Sequence, residues 1–238
     1  MNDQLRLTLG VRDRASFDNF ITAAADDDNA AAREHLRRLR GVAGAPAVYL
    51  WGPAGSGRTH LLQAVCQAAG ERQQAAVCLS MRGEPGLPPQ ALEGMERLGI
   101  VCIDDLDAIL GERRWERALA TLCAGVQALG GGLVVSAGVP PAALVAAAPA
   151  LGERFAAAHV FELRPADAAL RRAMLLARAE RRGLRLPETV AAHLLDSCGH
   201  DLRRLFATLD ALERSLLASP RKPGLALLRR LLRETPAS

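Results

Sequence analysis

At 238 residues, half of them apolar and 24% charged, the chain has an ordinary globular composition, with room for one sizeable domain or a larger and a smaller one. No apolar run approaches the roughly 18 residues needed to span a bilayer, and the opening MNDQLRLTLG lacks the apolar core and cleavage site of a secretory leader, so neither is expected. A net charge of +4, built from interleaved basic and acidic residues, permits nucleic-acid contact without arguing for it, and 3% aromatic residues are too few for a base-stacking platform.

Residues 1–10 read as an extended tail. ADDDNAAAREHLRRLRG (25–41) predicts a helix capped by Asp28 or Asn29, with Gly41 past its end. AVYLW (47–51) is a short apolar strand running straight into a Gly-rich loop, and RTHLLQAVCQAAG (58–70) reads as the helix after it. Strand-like runs recur at AVCLS (76–80), IVCID (100–104), LVVSA (133–137) and HVFEL (159–163), with helical stretches between them, notably 113–129. Strands alternating with helices predict an α/β fold whose parallel sheet is covered on both faces. After Pro165 the pattern turns wholly helical, through 166–183, 187–199, 200–219 and 223–234, each bounded by Pro or Gly. The five cysteines, Cys66, Cys78, Cys102, Cys123 and Cys198, are scattered with no CxxC pair, which predicts reduced thiols and no metal site.

The Gly-rich loop is Gly52, Pro53, Ala54, Gly55, Ser56, Gly57, Arg58 and Thr59, between a predicted strand and a predicted helix. Glycines there let backbone N–H groups wrap a phosphate, and the helix N-terminus adds its dipole. Thr59 would place its hydroxyl on Mg²⁺. IVCIDDL supplies the partner: an apolar strand delivering Asp104 to the metal shell and Asp105 to orient water. Arg58 stands where such loops usually carry lysine. A guanidinium grips phosphate oxygens in pairs but fits a transferring γ-phosphoryl poorly, so the loop is expected to bind a nucleotide without efficient turnover. Lys222 is the chain's only lysine, against 29 arginines.

These motifs, with ASFDNF (15–20) ahead of the first strand and the pair Trp115-Glu116, resemble the DnaA-related branch of the AAA+ superfamily over nearly the whole chain. The resemblance implies an AAA+ nucleotide-binding base over 11–164 and a helical lid over 165–238. It implies that ASFDNF, with Phe17, Asn19 and Phe20, holds the adenine. His60 is grouped with the loop but reads as a helix-surface histidine rather than a base. LGERF (151–155) stands where the family places an arginine finger, so Arg154 would act in trans on a neighbour's nucleotide. DLRRLFATL (201–209) matches a sensor arginine at Arg203, leaving Arg204 as the solvated one. QLRLTL resembles a clamp-docking peptide through Gln4, Leu5, Leu7 and Leu9, with Thr8 where proline is commoner. Gly138 replaces a polar sensor residue, leaving Ser136 to do that work.

The function implied is negative regulation of replication initiation. An adaptor holding ADP, or another adenine nucleotide with Mg²⁺, would couple the DNA-loaded DNA polymerase III β sliding clamp to the DnaA initiator and stimulate hydrolysis of DnaA-bound ATP. DNA is reached only through the clamp, no membrane is involved, the place is the cytoplasm near the replisome, and a homodimer is left open. The competing reading is an AAA+ ATPase serving as a helicase loader or clamp-loader-like subunit, which would turn over ATP by itself. A sequence-selective DNA-binding domain is not expected after the last lid helix.

Overall fold

The apolar runs become five strands: β1 Val48–Trp51, β2 Ala76–Ser80, β3 Ile100–Asp104, β4 Gly132–Ala137 and β5 His159–Glu162. All pair in parallel, in the order β2-β3-β4-β1-β5. The computed structural model describes residues 15–23, 27–41, 45–82, 88–218 and 224–234. The expected clamp-docking residues Gln4, Leu5, Leu7 and Leu9 lie outside them.

Period-2 alternation sorts the strand side chains onto two faces. Val48, Leu50, Ile100, Cys102 and Val134 pack with α1 (Asp28–Arg37) and α2 (Arg58–Glu71). Tyr49, Val101, Ile103, Leu133 and Val135 pack with α3 (Arg113–Ala128) and with Leu144, Leu151 and Phe155. Because both faces are covered, the central strands β3 and β4 are buried along their whole length. Two short helices missed by the sequence reading, α4 (Pro141–Ala147) and α5 (Pro149–Gly152), close the second face.

The first helix starts one residue earlier than expected. Asp27 is its cap, its carboxylate accepting from the Ala30 N–H at 2.6 Å, and Asp28 is already helical. The helix also stops at Arg37, short of Gly41, where a glycine Cβ would meet the Gly99 carbonyl at 2.8 Å.

The chain divides into two compact units. One is the sheet unit, built on Gly57–Leu163. The other is built on residues 164–234, together with 21–23 and Pro53–Ser56. Its helices are α6 (Ala168–Arg181), α7 (Glu188–Cys198), α8 (Leu202–Ala218) and α9 (Leu225–Glu234). Leu175, Leu194, Leu205, Leu209, Leu212 and Leu228 form their shared core. Arg204, expected to be solvated, instead ties helices together. It donates to the Ser197 carbonyl of α7 and the Leu232 carbonyl of α9, both at 3.3 Å. The helix-terminal carbonyl of Ser197 has no partner within its own helix, which is why a guanidinium is held there. Among the described residues no helix is long and apolar enough to cross a membrane.

Candidate functional site

The Gly-rich loop leaves the C-terminal end of β1 and opens α2 at Arg58, with Gly57 as its cap in a left-handed conformation, φ 97°. Gly57 is required twice over. An L side chain strains at that φ, and a Cβ there would lie 2.6 Å from Cε2 of Phe20. At the loop, Ser56 Oγ and Arg58 Nη1 are buried with no hydrogen-bond partner. Buried polar atoms are nearly always satisfied, and a phosphate anion at the loop would supply an acceptor to each.

Sheet register builds the opposite wall. Ile103 pairs with Val135, so Asp104 and Ser136 come next, level with each other and on the face covered by α2. Thr59 in the first turn of α2 donates from Oγ1 to Asp104 Oδ2 at 2.7 Å. The Ser136 hydroxyl donates to Asp104 Oδ1 and accepts from the Asp105 N–H at 3.1 Å. Asp104 is 3% exposed and both its oxygens are used. A hydroxyl and a carboxylate at one point form a hard-oxygen donor set that suits Mg²⁺. The residues present therefore fit a nucleotide phosphate with its metal.

Asp105 behaves differently from its neighbour. It leaves the strand in a left-handed conformation, φ 54°, which turns the chain into the short turn Leu106–Ile109. Its carboxylate faces Arg58 at 3.2 Å and Arg82 at 3.4 Å. Burial, and then the charge of Asp104, push its carboxyl above the usual carboxylate range, opposed by Arg58 and Arg82. Arg82 also reaches Asp107 at 3.4 Å, and Asp107 accepts the Gly138 N–H at 2.8 Å. The loop after β4 is pinned a second time by the Tyr49 hydroxyl, which donates to the Val139 carbonyl at 3.0 Å. A carboxylate from the turn after β3 thus holds the backbone at Gly138, the glycine read from the sequence as replacing a polar sensor residue. The sequence reading missed Arg82 and Asp107. Asp107 was visible as a third acid in IDDLDAI, but only the adjacency of β2 and β3 identifies Arg82.

The remaining expected residues fall as follows. Phe17 and Phe20 are buried at 6% and 5% in the core beneath the loop. Asn19 and Ser16 exchange side-chain-to-backbone hydrogen bonds at 2.9 and 3.3 Å, forming a tight turn. His60 Nε2 lies 3.0 Å from the Ser16 carbonyl and its ring 5.5 Å from that of Phe20, so it ties the N-terminal stretch to α2. Arg154 is exposed on the turn Glu153–Phe155, which buried Phe155 anchors against the Tyr49 ring. Arg203 is exposed in the first turn of α8. Within the second unit, Pro53, Ala54 and Gly55 line a pocket with Pro165, Ala166, His200 and Leu202. Arg171 contacts Nδ1 of His200 at 2.7 Å.

Residues 11–85 match the family model for the bacterial DnaA ATPase domain, and residues 168–232 match the model described as Hda, lid domain. Domain III of the Thermotoga maritima replication initiation protein DnaA superposes with a TM-score of 0.73 at 20% identity, covering 93% of this chain and 96% of that one. AMPPCP-bound DnaA from Aquifex aeolicus gives 0.67 at 19% identity, covering 92% and 70%. The Thermotoga maritima RuvB branch migration motor gives 0.63 at 14% identity, covering 92% and 72%. With a DnaA-type phosphate loop, a five-stranded parallel sheet and a lid of the Hda kind, the chain is a DnaA-related AAA+ protein.

Proposed function

We propose that the chain is an inactivator of the DnaA initiator that keeps an adenine nucleotide, ADP, as part of its own structure and promotes hydrolysis of ATP bound to DnaA. The observation that carries this reading is the double engagement of Asp105 by Arg58 and Arg82. A carboxylate that orients attacking water needs a free oxygen beside the γ-phosphate. Here both oxygens face guanidinium groups. Arg58 keeps one buried N–H without a partner, suited to a phosphate oxygen of a bound diphosphate. Thr59 and Asp104 would hold Mg²⁺, which neutralises phosphate charge when bound. Arg203 would reach the phosphates from the lid, and ASFDNF would hold the adenine.

Arg154 supports the other half of the reading. A guanidinium displayed on a turn fixed by a buried phenylalanine suits insertion into a neighbouring protein's site better than service in its own. The tail, through Gln4, Leu5, Leu7 and Leu9, would hold the chain on the DNA-loaded β clamp, so that DnaA is met where replication has begun.

Two measurements test this. Phosphate release from the isolated chain with ATP and Mg²⁺ is expected to stay near background; brisk turnover would favour an ATPase of the helicase-loader or clamp-loader type. Retention of the chain on immobilised clamp is expected to be lost in the double variant Gln4→Ala, Leu7→Ala, because it removes the polar anchor and one apolar anchor together. Unchanged retention would remove the tail from the scheme.

A further inference from the structure

The stretch ASFDNF (15–20) is gripped from two sides, and only one grip comes from the helix that opens at the phosphate loop. From α2, His60 holds the Ser16 carbonyl and sets its ring against Phe20. From α1, two arginines one turn apart reach the same stretch. Residues four apart share a helix face, so Arg33 and Arg37 point the same way while Ala32 and Leu36 are buried in the core. Arg33 Nη1 donates to the Phe20 carbonyl at 3.1 Å, in a part-buried position. Arg37 Nη2 meets Asp18 Oδ1 at 2.7 Å, and its guanidinium lies 5.8 Å from the centroid of the Phe17 ring. The two contacts are not equal. The Asp18 side chain is 86% exposed, so its pair with Arg37 is screened by water. Phe20 is buried, and its ring is the one that a Cβ at Gly57, the cap of α2, would strike. Phe20 is also where the chain leaves the sheet unit, since Ile21 already belongs to the second unit. Arg33 therefore fixes the end of the stretch that abuts the start of α2.

We propose that Arg33 is a positioning residue for base recognition: by holding the Phe20 carbonyl from α1, it sets residues 15–20 in the place where they meet the base, without touching the nucleotide itself. This rests on the reading that ASFDNF holds the adenine, and adds what holds ASFDNF. The phosphates and the base then depend on different parts of the chain. Backbone N–H groups of the loop and the first turn of α2 take the diphosphate, whereas the base depends on a stretch that has no helix or strand of its own. Such a stretch would otherwise give up backbone freedom on binding, and that cost would weaken affinity for the base. A hydrogen bond from a charged donor is among the stronger kinds, and it removes the cost in advance. Arg33 can do this because it is itself fixed, on a helix capped by Asp27 and anchored through Ala32 and Leu36. Arg37 adds an exposed contact of little weight.

The test is calorimetric titration of the nucleotide-stripped full chain, in Mg²⁺, with ADP, GDP and inorganic pyrophosphate. The wild type is expected to prefer ADP to GDP. Arg33→Met keeps the apolar stem and removes the guanidinium. It is expected to weaken ADP binding by roughly 10- to 100-fold, the weight of a hydrogen bond to a charged group, to erase the preference over GDP, and to leave pyrophosphate binding as it was. Arg33→Lys restores one donor and is expected to recover most of the preference. Arg37→Ala is expected to change ADP affinity by less than about fivefold. Equal weakening of ADP and pyrophosphate in Arg33→Met would make Arg33 a mere prop of the fold and overturn the proposal, as would an undiminished preference for ADP. A wild type that does not tell ADP from GDP would overturn the adenine reading of ASFDNF, and the proposal with it. Amide hydrogen exchange decides the matter even if Arg33→Met does not fold. In the wild type, saturating ADP is expected to slow exchange across 16–20 and across 30–37 beyond what saturating pyrophosphate does. Extra protection confined to 16–20, with none in α1, would overturn the proposal.

Discussion

Arg154→Ala is expected to leave the chain folded and still retained on the clamp, while stimulation of DnaA-bound ATP hydrolysis is lost. The side chain is exposed, and buried Phe155 beside it supplies the anchor. Exposed substitutions of this kind usually change stability by less than about 0.5 kcal/mol. A finger supplied in trans neutralises charge that develops only in the transition state, and its removal costs on the order of 10³ to 10⁵ in rate. Arg154→Lys is expected to recover little, because an ammonium lacks the planar fork that spans two phosphate oxygens. The check is single-turnover hydrolysis of ATP preloaded on DnaA, with clamp and DNA present, alongside thermal melting of the variant. A variant that stimulates as well as the wild type would remove Arg154 from the mechanism and leave another arginine to be found.

Gly57→Ala has the largest expected effect on the fold around the loop. Holding alanine in the left-handed region costs about 1–2 kcal/mol. Forcing a Cβ to 2.6 Å from the Phe20 ring adds overpacking of about 1–3 kcal/mol, since that ring is 5% exposed and boxed in by the core. The variant should therefore lose roughly 2–5 kcal/mol in chemical denaturation, and its nucleotide affinity should fall with it. A double-mutant cycle separates the two causes. Phe20→Leu removes the ring atoms and should restore the packing part but not the backbone part. A Gly57→Ala chain as stable as the wild type would mean that neither constraint holds in solution.

Much of this was readable from the sequence, for identifiable reasons. The strands announced themselves because a sheet covered on both faces needs continuous apolar runs, and AVCLS and IVCID begin and end where the strands do. The contact between Thr59 and Asp104 followed from motif logic: both motifs sit at strand ends, and parallel strands bring their ends to one edge. What stayed hidden was lateral. Arg82 enters the site because β2 lies beside β3. Neighbour relations across a sheet leave no mark on local composition. Arg204 was misread for a related reason: a run of arginines looks solvated until the carbonyls of Ser197 and Leu232 are seen to need a donor. Asp27 displaced Asp28 as the helix cap because three consecutive aspartates offer the same chemistry, and only backbone geometry selects among them.

The central claim is that the loop clasps a spent nucleotide as a structural component while Arg58 and Arg82 keep Asp105 from using it. The most direct measurement is to denature the natively purified chain, extract whatever is bound and identify it by chromatography and mass. Near-stoichiometric ADP, with a melting temperature that falls when it is stripped and recovers when it is returned, is the result expected. A chain that comes out empty, and whose melting is unmoved by ADP or ATP, would contradict the account at its root.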